Sequence, residues 1–361
     1  MTDHFTLLGL TGYTYGLWIA VGALLSLLLM GLLSHGRRLP AGTTAVFGVI
    51  AIPLGLFFAR LIFCLLSLSL FVQTYENPLL MLRFFDGGFS MTGLIMGLTL
   101  AAFYASRALG LRFGQVLDVA AAPMALFIAF CRVGEGCTDL GIGKVVEPNF
   151  FTHTTPWLFI SESMGIATEY RLAVYRYEAA AALVLCLLLL LLGRSLRRDK
   201  HVPAGDVGLM FFALYGASQM VLESLRDDGH MMITFLRVAQ VAAFLMPVIA
   251  TTVFAGRFAR LKARIDSPHG LSGPIRVPGR VVLCWFLILL CLAGATLMEF
   301  SLDGRLTWGQ PSLLRDYGIL TALALLLFLA PYSLFHTLRS RLYAQGAILT
   351  PVHAQEDPRR L

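Results

Sequence analysis

The chain has 361 residues, enough for two or three soluble domains, yet 57% of them are hydrophobic and only 14% are charged. A soluble domain carries roughly 25% charged residues, so these few charges cannot solvate a surface of this size. The mean hydropathy of +0.76 excludes a disordered chain as well. The net charge of +7 does not point to nucleic acid, because the basic residues lie between apolar runs and form no aromatic-interleaved patch. The membrane accounts for them.

A bilayer core takes about 20 apolar residues per helix. In chain order the apolar runs predict nine spans, at about 13–34, 43–72, 88–106, 116–134, 177–196, 206–226, 231–254, 281–299 and 316–336. The first run lacks a positive flank before it, so it is expected to stay as a span and not to be cleaved as a signal peptide. The second is long and holds Arg60, which predicts tilt or a break. The fourth departs most from an apolar span, since it carries Asp118 and Pro123.

Two stretches fall outside this pattern. Residues 135–176, rich in Thr, Glu and aromatics, are too long for a simple turn and predict a small head outside the bilayer. Residues 255–280 hold Pro268, Gly270, Gly273, Pro274, Pro278 and Gly279 and read as a basic linker. It divides a seven-span core, residues 1–254, from a two-span hairpin and tail, residues 281–361. The expected fold class is all-α: a polytopic membrane helix bundle of about nine transmembrane helices with a small extracytoplasmic head. No internal repeat is visible, which argues against an inverted-repeat transporter.

The basic residues set the orientation. Arg37 and Arg38, Arg107 and Arg112, Arg194 to Lys200, Arg257 to Arg280, and the tail residues Arg339 to Arg360 fall in alternate connections. By the positive-inside rule these are cytoplasmic. The N-terminus is then outside and the C-terminus inside, as an odd number of spans requires. The six cysteines form no disulfide or zinc framework: Cys64, Cys186, Cys284 and Cys291 lie in apolar runs, and Cys131 and Cys137, six apart, leave a bridge open. There is no CxxC or His pair, and neither a metal nor a cofactor is expected.

Polar residues inside spans are costly and face the bundle interior or a water-filled cavity. The predicted topology puts many of them at one depth, near the outer headgroups: Tyr15, Arg60, Thr92 behind Gly87 and Gly88, Arg132, the trio Gln219, Glu223 and Arg226, and Arg237 with Gln240. Gln219, Glu223 and Arg226 are spaced i, i+4, i+7 and share one helical face. Several guanidinium forks around one site suit a phosphate, and at this depth the phosphate is that of an anionic phospholipid headgroup. A single Arg at a span end can equally snorkel to the interface, and Glu223 can equally neutralise Arg60 or Arg132 as a structural ion pair.

The same residues resemble the prolipoprotein diacylglyceryl transferase family over roughly residues 10–254. The resemblance runs through Tyr15-Gly16-Leu17, Ala59-Arg60-Leu61, and Asp86 to Gly93 as a GG-x-S-x-H-G segment that includes Gly87, Gly88, Ser90 and Gly93. It continues through Asp118, Ala122 and Pro123, then Arg132 to Gly143 as the signature GR-x-GNF-x-NGE-xx-G, then Tyr177-Glu178. It ends with Tyr215-Gly216, Glu223 and Arg226. Thr92 stands where the family has histidine, Glu135 where it has the signature asparagine, and Gln219 where it has arginine.

The resemblance implies a bacterial plasma-membrane enzyme that moves the diacylglyceryl group of phosphatidylglycerol, or another anionic phospholipid, to the cysteine thiol of a preprolipoprotein lipobox peptide. It assigns Arg132, Glu223, Tyr15, Thr92 and Gln219 to the chemistry. Binding falls to Arg60, Arg226, Gly87, Gly88, Ser90, Gly93, Asp118, Glu135, Gly143 and Gln240. The alternative is a catalytically impaired relative that binds anionic phospholipid or lipopeptide as a membrane scaffold.

Overall fold

Lipid offers peptide groups no hydrogen-bond partner, so long apolar runs satisfy their own backbone as helices. The protein, seen here as a computed structural model, is described over residues 4–7, 10–68, 71–72, 77–84, 87–148, 150–164, 167–199, 201–227, 232–233, 236–266, 278–302, 306 and 313–348. Strands β1 (His4–Leu7) and β2 (Leu10–Tyr13) pair antiparallel ahead of α1 (Thr14–Gly36). Then follow α2 (Thr43–Leu66), a 3-10 turn at Pro78–Leu82, α3 (Met91–Ala108) and α4 (Phe113–Glu135). Next come β3 (Val145–Val146), α5 (Phe150–Thr154), β4 (Phe159–Met164) and β5 (Ala167–Leu172), whose strands form an antiparallel sheet ordered β3-β5-β4. The chain continues through α6 (Val174–Leu196), α7 (Asp206–Leu225), the hairpin β6 (Met232–Ile233) and β7 (Leu236–Arg237), and α8 (Val238–Asp266). It closes with α9 (Gly279–Leu302), α10 (Leu313–Thr337) and α11 (Tyr343–Ile348).

Each of the nine predicted spans contains a long helix, and eight of these are long and apolar enough to cross a bilayer. The exception is α3, whose 18 residues include Thr92, Ser106 and Arg107. It is held instead by close packing on α2: a Cβ at Gly93 would strike the Phe58 carbonyl, and one at Gly97 would lie 2.9 Å from the Gly55 Cα. The protein is therefore an all-α polytopic bundle, with short sheets confined to its loops. Helix α2 ends at Leu66, so the stretch to 72 needs no tilted span. Helix α8 starts only after the β6–β7 hairpin and runs on to Asp266. Residues 267–277 of the predicted linker lie outside the described residues, as do Asp86 and Lys200.

The fourth span is the centre of the bundle. Helix α4 packs against α1, α3, α6 and α7, and 78% of its most apolar 18-residue window is buried, against 17% for α1. Its polar residues therefore meet protein and not lipid, which is why Asp118 and Pro123 are tolerated. All six cysteines are free, buried thiols.

The C-terminal hairpin docks through α10, which packs against α7, α8 and α9. Gln240 of α8 donates to Glu299 Oε1 of α9 at 2.7 Å. The Tyr317 hydroxyl donates to the Ser224 carbonyl at 3.0 Å, one of the α7 C-terminal carbonyls that have no partner within the helix. Replacing Tyr317 by Phe is expected to cost about 1 kcal/mol, seen as a lower thermal-unfolding midpoint in detergent. An unchanged midpoint would mean that water takes over this carbonyl.

Candidate functional site

The helix ends opposite the Arg-rich loops bring five charged side chains together. Arg132 and Glu135, i and i+3 in the last turn of α4, lie on one face, and Arg132 Nη1 donates to Glu135 Oε1 at 2.6 Å. Glu178, in the first turns of α6, accepts from Arg226 Nη1 at 2.7 Å, and the same oxygen lies 3.3 Å from Arg132 Nε as an ion pair. Arg226, just past α7, also reaches Glu135 Oε2 at 3.4 Å. Glu223 lies on the adjoining turn of α7, within electrostatic reach of Arg132 and Glu178. Exposure falls from 6% at Glu135 and 5% at Arg132 to 2% at Glu223 and 1% at Glu178 and Arg226. Such a buried set persists only because each charge faces its opposite.

Neighbouring residues hold this cluster in place. The Arg132 guanidinium is in electrostatic contact with Tyr215 of α7, whose ring stacks on Phe211 at 5.6 Å. Tyr15, at the start of α1, is in electrostatic contact with Arg132, Glu135 and Arg226. It comes this close because residue 134 is Gly: a Cβ there would be 2.9 Å from Tyr15 Cδ2. Gly143 pairs with Arg226 in an isolated antiparallel bridge, flanked by Lys144 N donating to Leu225 O at 3.1 Å and Asp227 N to Ile142 O at 2.9 Å. A side chain at 143 would sit 2.5 Å from Val174 Cγ2, so Gly is the residue that lets the head strap Arg226 against the cluster.

The remaining expected residues go elsewhere. Arg60 donates from Nε to Met81 O at 3.1 Å, from Nη2 to Leu80 O at 2.9 Å, and from Nη1 to Gly88 O at 3.2 Å and to Gly87 O. Phe63 and Phe71 flank its guanidinium at 5.7 Å. Its fork is thus filled by the loop ahead of α3, where Gly87 and Gly88 take φ of 75° and 70°, a region open to Gly. Ser90 caps α3 by accepting from Gly93 N at 3.4 Å, with Thr92 half-buried in the first turn. Gln219 is buried one turn before Glu223. Gln240 is bonded to Glu299, as above. The side chain of Arg237 lies outside the described residues.

Asp118 sits at the far end of α4. Its Oδ1 accepts from Val207 N at 2.9 Å and Gly208 N at 3.1 Å, and its Oδ2 from Gly205 N at 3.0 Å and Arg37 Nη1 at 3.1 Å. It closes the start of α7 on the Arg-rich side, roughly 21 Å along the helix from Arg132 at about 1.5 Å per residue. Glu178 and Tyr215 were absent from the expected site. An acidic residue opening an otherwise apolar run was the available signal for Glu178.

Among the described residues no group of three or more His, Cys, Asp and Glu is arranged to hold a metal. The positive charges set between the carboxylates are guanidiniums, suited to a planar or tetrahedral oxyanion. Fold and site together define a multi-pass membrane protein with a buried, charge-paired site at one end of its bundle. Residues 3–255 match the family described as prolipoprotein diacylglyceryl transferase, and the chain belongs to that family. It is similar to the phosphatidylglycerol–prolipoprotein diacylglyceryl transferases of Bacillus licheniformis and Halalkalibacterium halodurans. The first is 27% identical over 250 residues, covering 69% of this chain and 89% of the relative. The second is 28% identical over 262 residues, covering 72% and 88%. That of Bacillus velezensis is 28% identical over 266 residues, 73% of this chain and 94% of the relative.

Proposed function

We propose that the protein transfers the diacylglyceryl group of phosphatidylglycerol to the lipobox cysteine of a prolipoprotein. The acceptor sulfur forms a bond to the glycerol carbon, the bond from that carbon to the phosphate oxygen breaks, and glycerol phosphate leaves with the electron pair. Stabilising the departing phosphate is the electrostatic part of the barrier. The single observation that carries this reading is the convergence of Arg132 and Arg226, from two helices, on one buried spot. The thiol must lose its proton, since the thiolate is the nucleophile. Glu135 and Glu178 are the carboxylates nearest the guanidiniums, with Glu223 on the adjoining turn, while Tyr15 and Tyr215 supply hydroxyl donors. An apolar cavity of about 170 Å³ between α1, α2, α3 and α4, walled by Met30, Phe47, Leu98 and Met124 among others, is suited to an acyl chain.

In this reading residues 1–254 are the catalytic core, residues 281–361 an appended hairpin and tail, and the site faces the outside, with the C-terminus in the cytoplasm. Purified protein incubated with phosphatidylglycerol and a lipobox peptide should add one diacylglyceryl mass to the peptide, and Arg132→Ala should remove the product. No adduct from the unmodified protein would reject the reading. The double change Thr92→His with Gln219→Arg supplies a proton acceptor and a third guanidinium. It is expected to raise the rate by about tenfold, one preorganised group being worth at least that much. An unchanged or lower rate would mean that the site is organised around other groups.

A further inference from the structure

Helix α7 ends at Leu225, and Arg226 leaves it in extended backbone, with φ −73° and ψ 149°. The last carbonyls of a helix lack partners within it, so the groups that bind them from outside fix the direction of the residue that follows. Two such groups are present here. Lys144 N of the head donates to Leu225 O at 3.1 Å, and the Tyr317 hydroxyl of α10 donates to Ser224 O at 3.0 Å. The two donors are themselves joined, because the Lys144 ammonium stands over the Tyr317 ring, 5.7 Å from its centroid, within cation–π range. Tyr317 is presented by a fixed helix start. Asp316 beside it is buried and accepts from Ser301 Oγ of α9 at 2.7 Å, and the Gln240–Glu299 bond ties α9 to α8. Helix α10 begins at Leu313, whereas the family match ends at residue 255.

Building on the diacylglyceryl transfer proposed above, in which Arg226 stabilises the departing phosphate, we propose that Tyr317 is a positioning residue for that reaction. The appended hairpin thus completes a site whose charged groups all lie in the family-matched part of the chain. Tyr317 acts through backbone and not on the lipid. Its hydroxyl holds the end of α7, and its ring holds Lys144, the neighbour of the Gly143 that pairs with Arg226. Both restraints bear on the aim of one guanidinium. Misplacement of a catalytic group by about 1 Å can cost on the order of 10²-fold in rate, and releasing one of several restraints costs part of that.

The test measures kcat and KM of the full-length protein with phosphatidylglycerol and a lipobox peptide. The temperature is held well below every variant's thermal midpoint, so a loss of stability alone changes neither constant. Tyr317→Phe should lower kcat about tenfold and leave KM for the lipid unchanged. Lys144→Leu should lower kcat about threefold, and Lys144→Arg, which keeps a cation over the ring, should stay near normal. The control is Tyr343→Phe, which removes a hydroxyl bonded to Asp206 Oδ2 at 3.2 Å, at the opposite end of α7. Its kcat should be normal although its midpoint falls. Normal kcat in both Tyr317→Phe and Lys144→Leu, or an equal loss in Tyr343→Phe, overturns the positioning role while leaving transfer intact. If the unmodified protein yields no adduct, the transfer reading fails, and amide hydrogen exchange then decides whether Tyr317 holds the Arg226 segment. Faster exchange at residues 143–144 and 225–227 in Tyr317→Phe, but not in Tyr343→Phe, supports it, and equal exchange in the two overturns it.

Discussion

Arg226→Ala is expected to lower transfer by about 10²–10³-fold, the usual loss when a preorganised electrostatic donor leaves an active site. It is also expected to destabilise the protein by about 3–5 kcal/mol, because breaking one side of a buried ion pair leaves the opposite charge uncompensated. Glu178, 1% exposed and bonded to Arg226 at 2.7 Å, is that charge. The two effects separate in the pair Arg226→Ala with Glu178→Gln. Removing both charges should return much of the thermal midpoint while transfer stays low. Arg226→Lys should keep the midpoint near that of the unmodified protein but restore little activity, since one ammonium cannot hold two carboxylates in a fork. Full activity in either Arg226 variant would mean that the guanidinium is structural only.

Asp118→Ala should do the reverse. Its carboxylate accepts three backbone N–H groups at the start of α7 as well as Arg37, all within 3.1 Å. Taking it away uncaps a buried helix start and strands Arg37, so a loss of about 3–5 kcal/mol is expected. Because this end of α4 is remote from Arg132, the protein that remains folded should transfer at the normal rate with a normal KM for lipid. A raised KM at an unchanged thermal midpoint would show instead that Asp118 touches the substrate.

These two residues mark where a linear reading of the chain stopped. Both lie in apolar runs, and both were expected at one lipid-binding site. Depth along a span follows from counting residues, and it separates residue 118 from residue 132 on the same helix. Position around the bundle does not follow from counting. Arg60 shares the depth expected of the cluster, yet its donors are taken by Met81, Leu80, Gly88 and Gly87 carbonyls, supplied by a loop with no sequence signal that it would fold back. Glu178, present in the family-like Tyr177-Glu178 pair, was given no role for the opposite reason. A single acid at the mouth of an apolar run reads as an end-of-helix charge until Arg132 and Arg226 arrive from α4 and α7 to flank it.

What the amino-acid order alone determined was the class of protein and the number and approximate places of its long helices, because a backbone in lipid must hydrogen-bond locally and an apolar run records that requirement. It also held, in Arg132, Glu135, Glu223 and Arg226, most of the charges that matter. Which of them meet was decided only by the packing of α4 among α1, α3, α6 and α7. The energy of a buried charge depends on its nearest opposite charge in space, and that neighbour can lie some fifty residues away in the chain, as Arg226 does from Glu178 (|i−j| = 48).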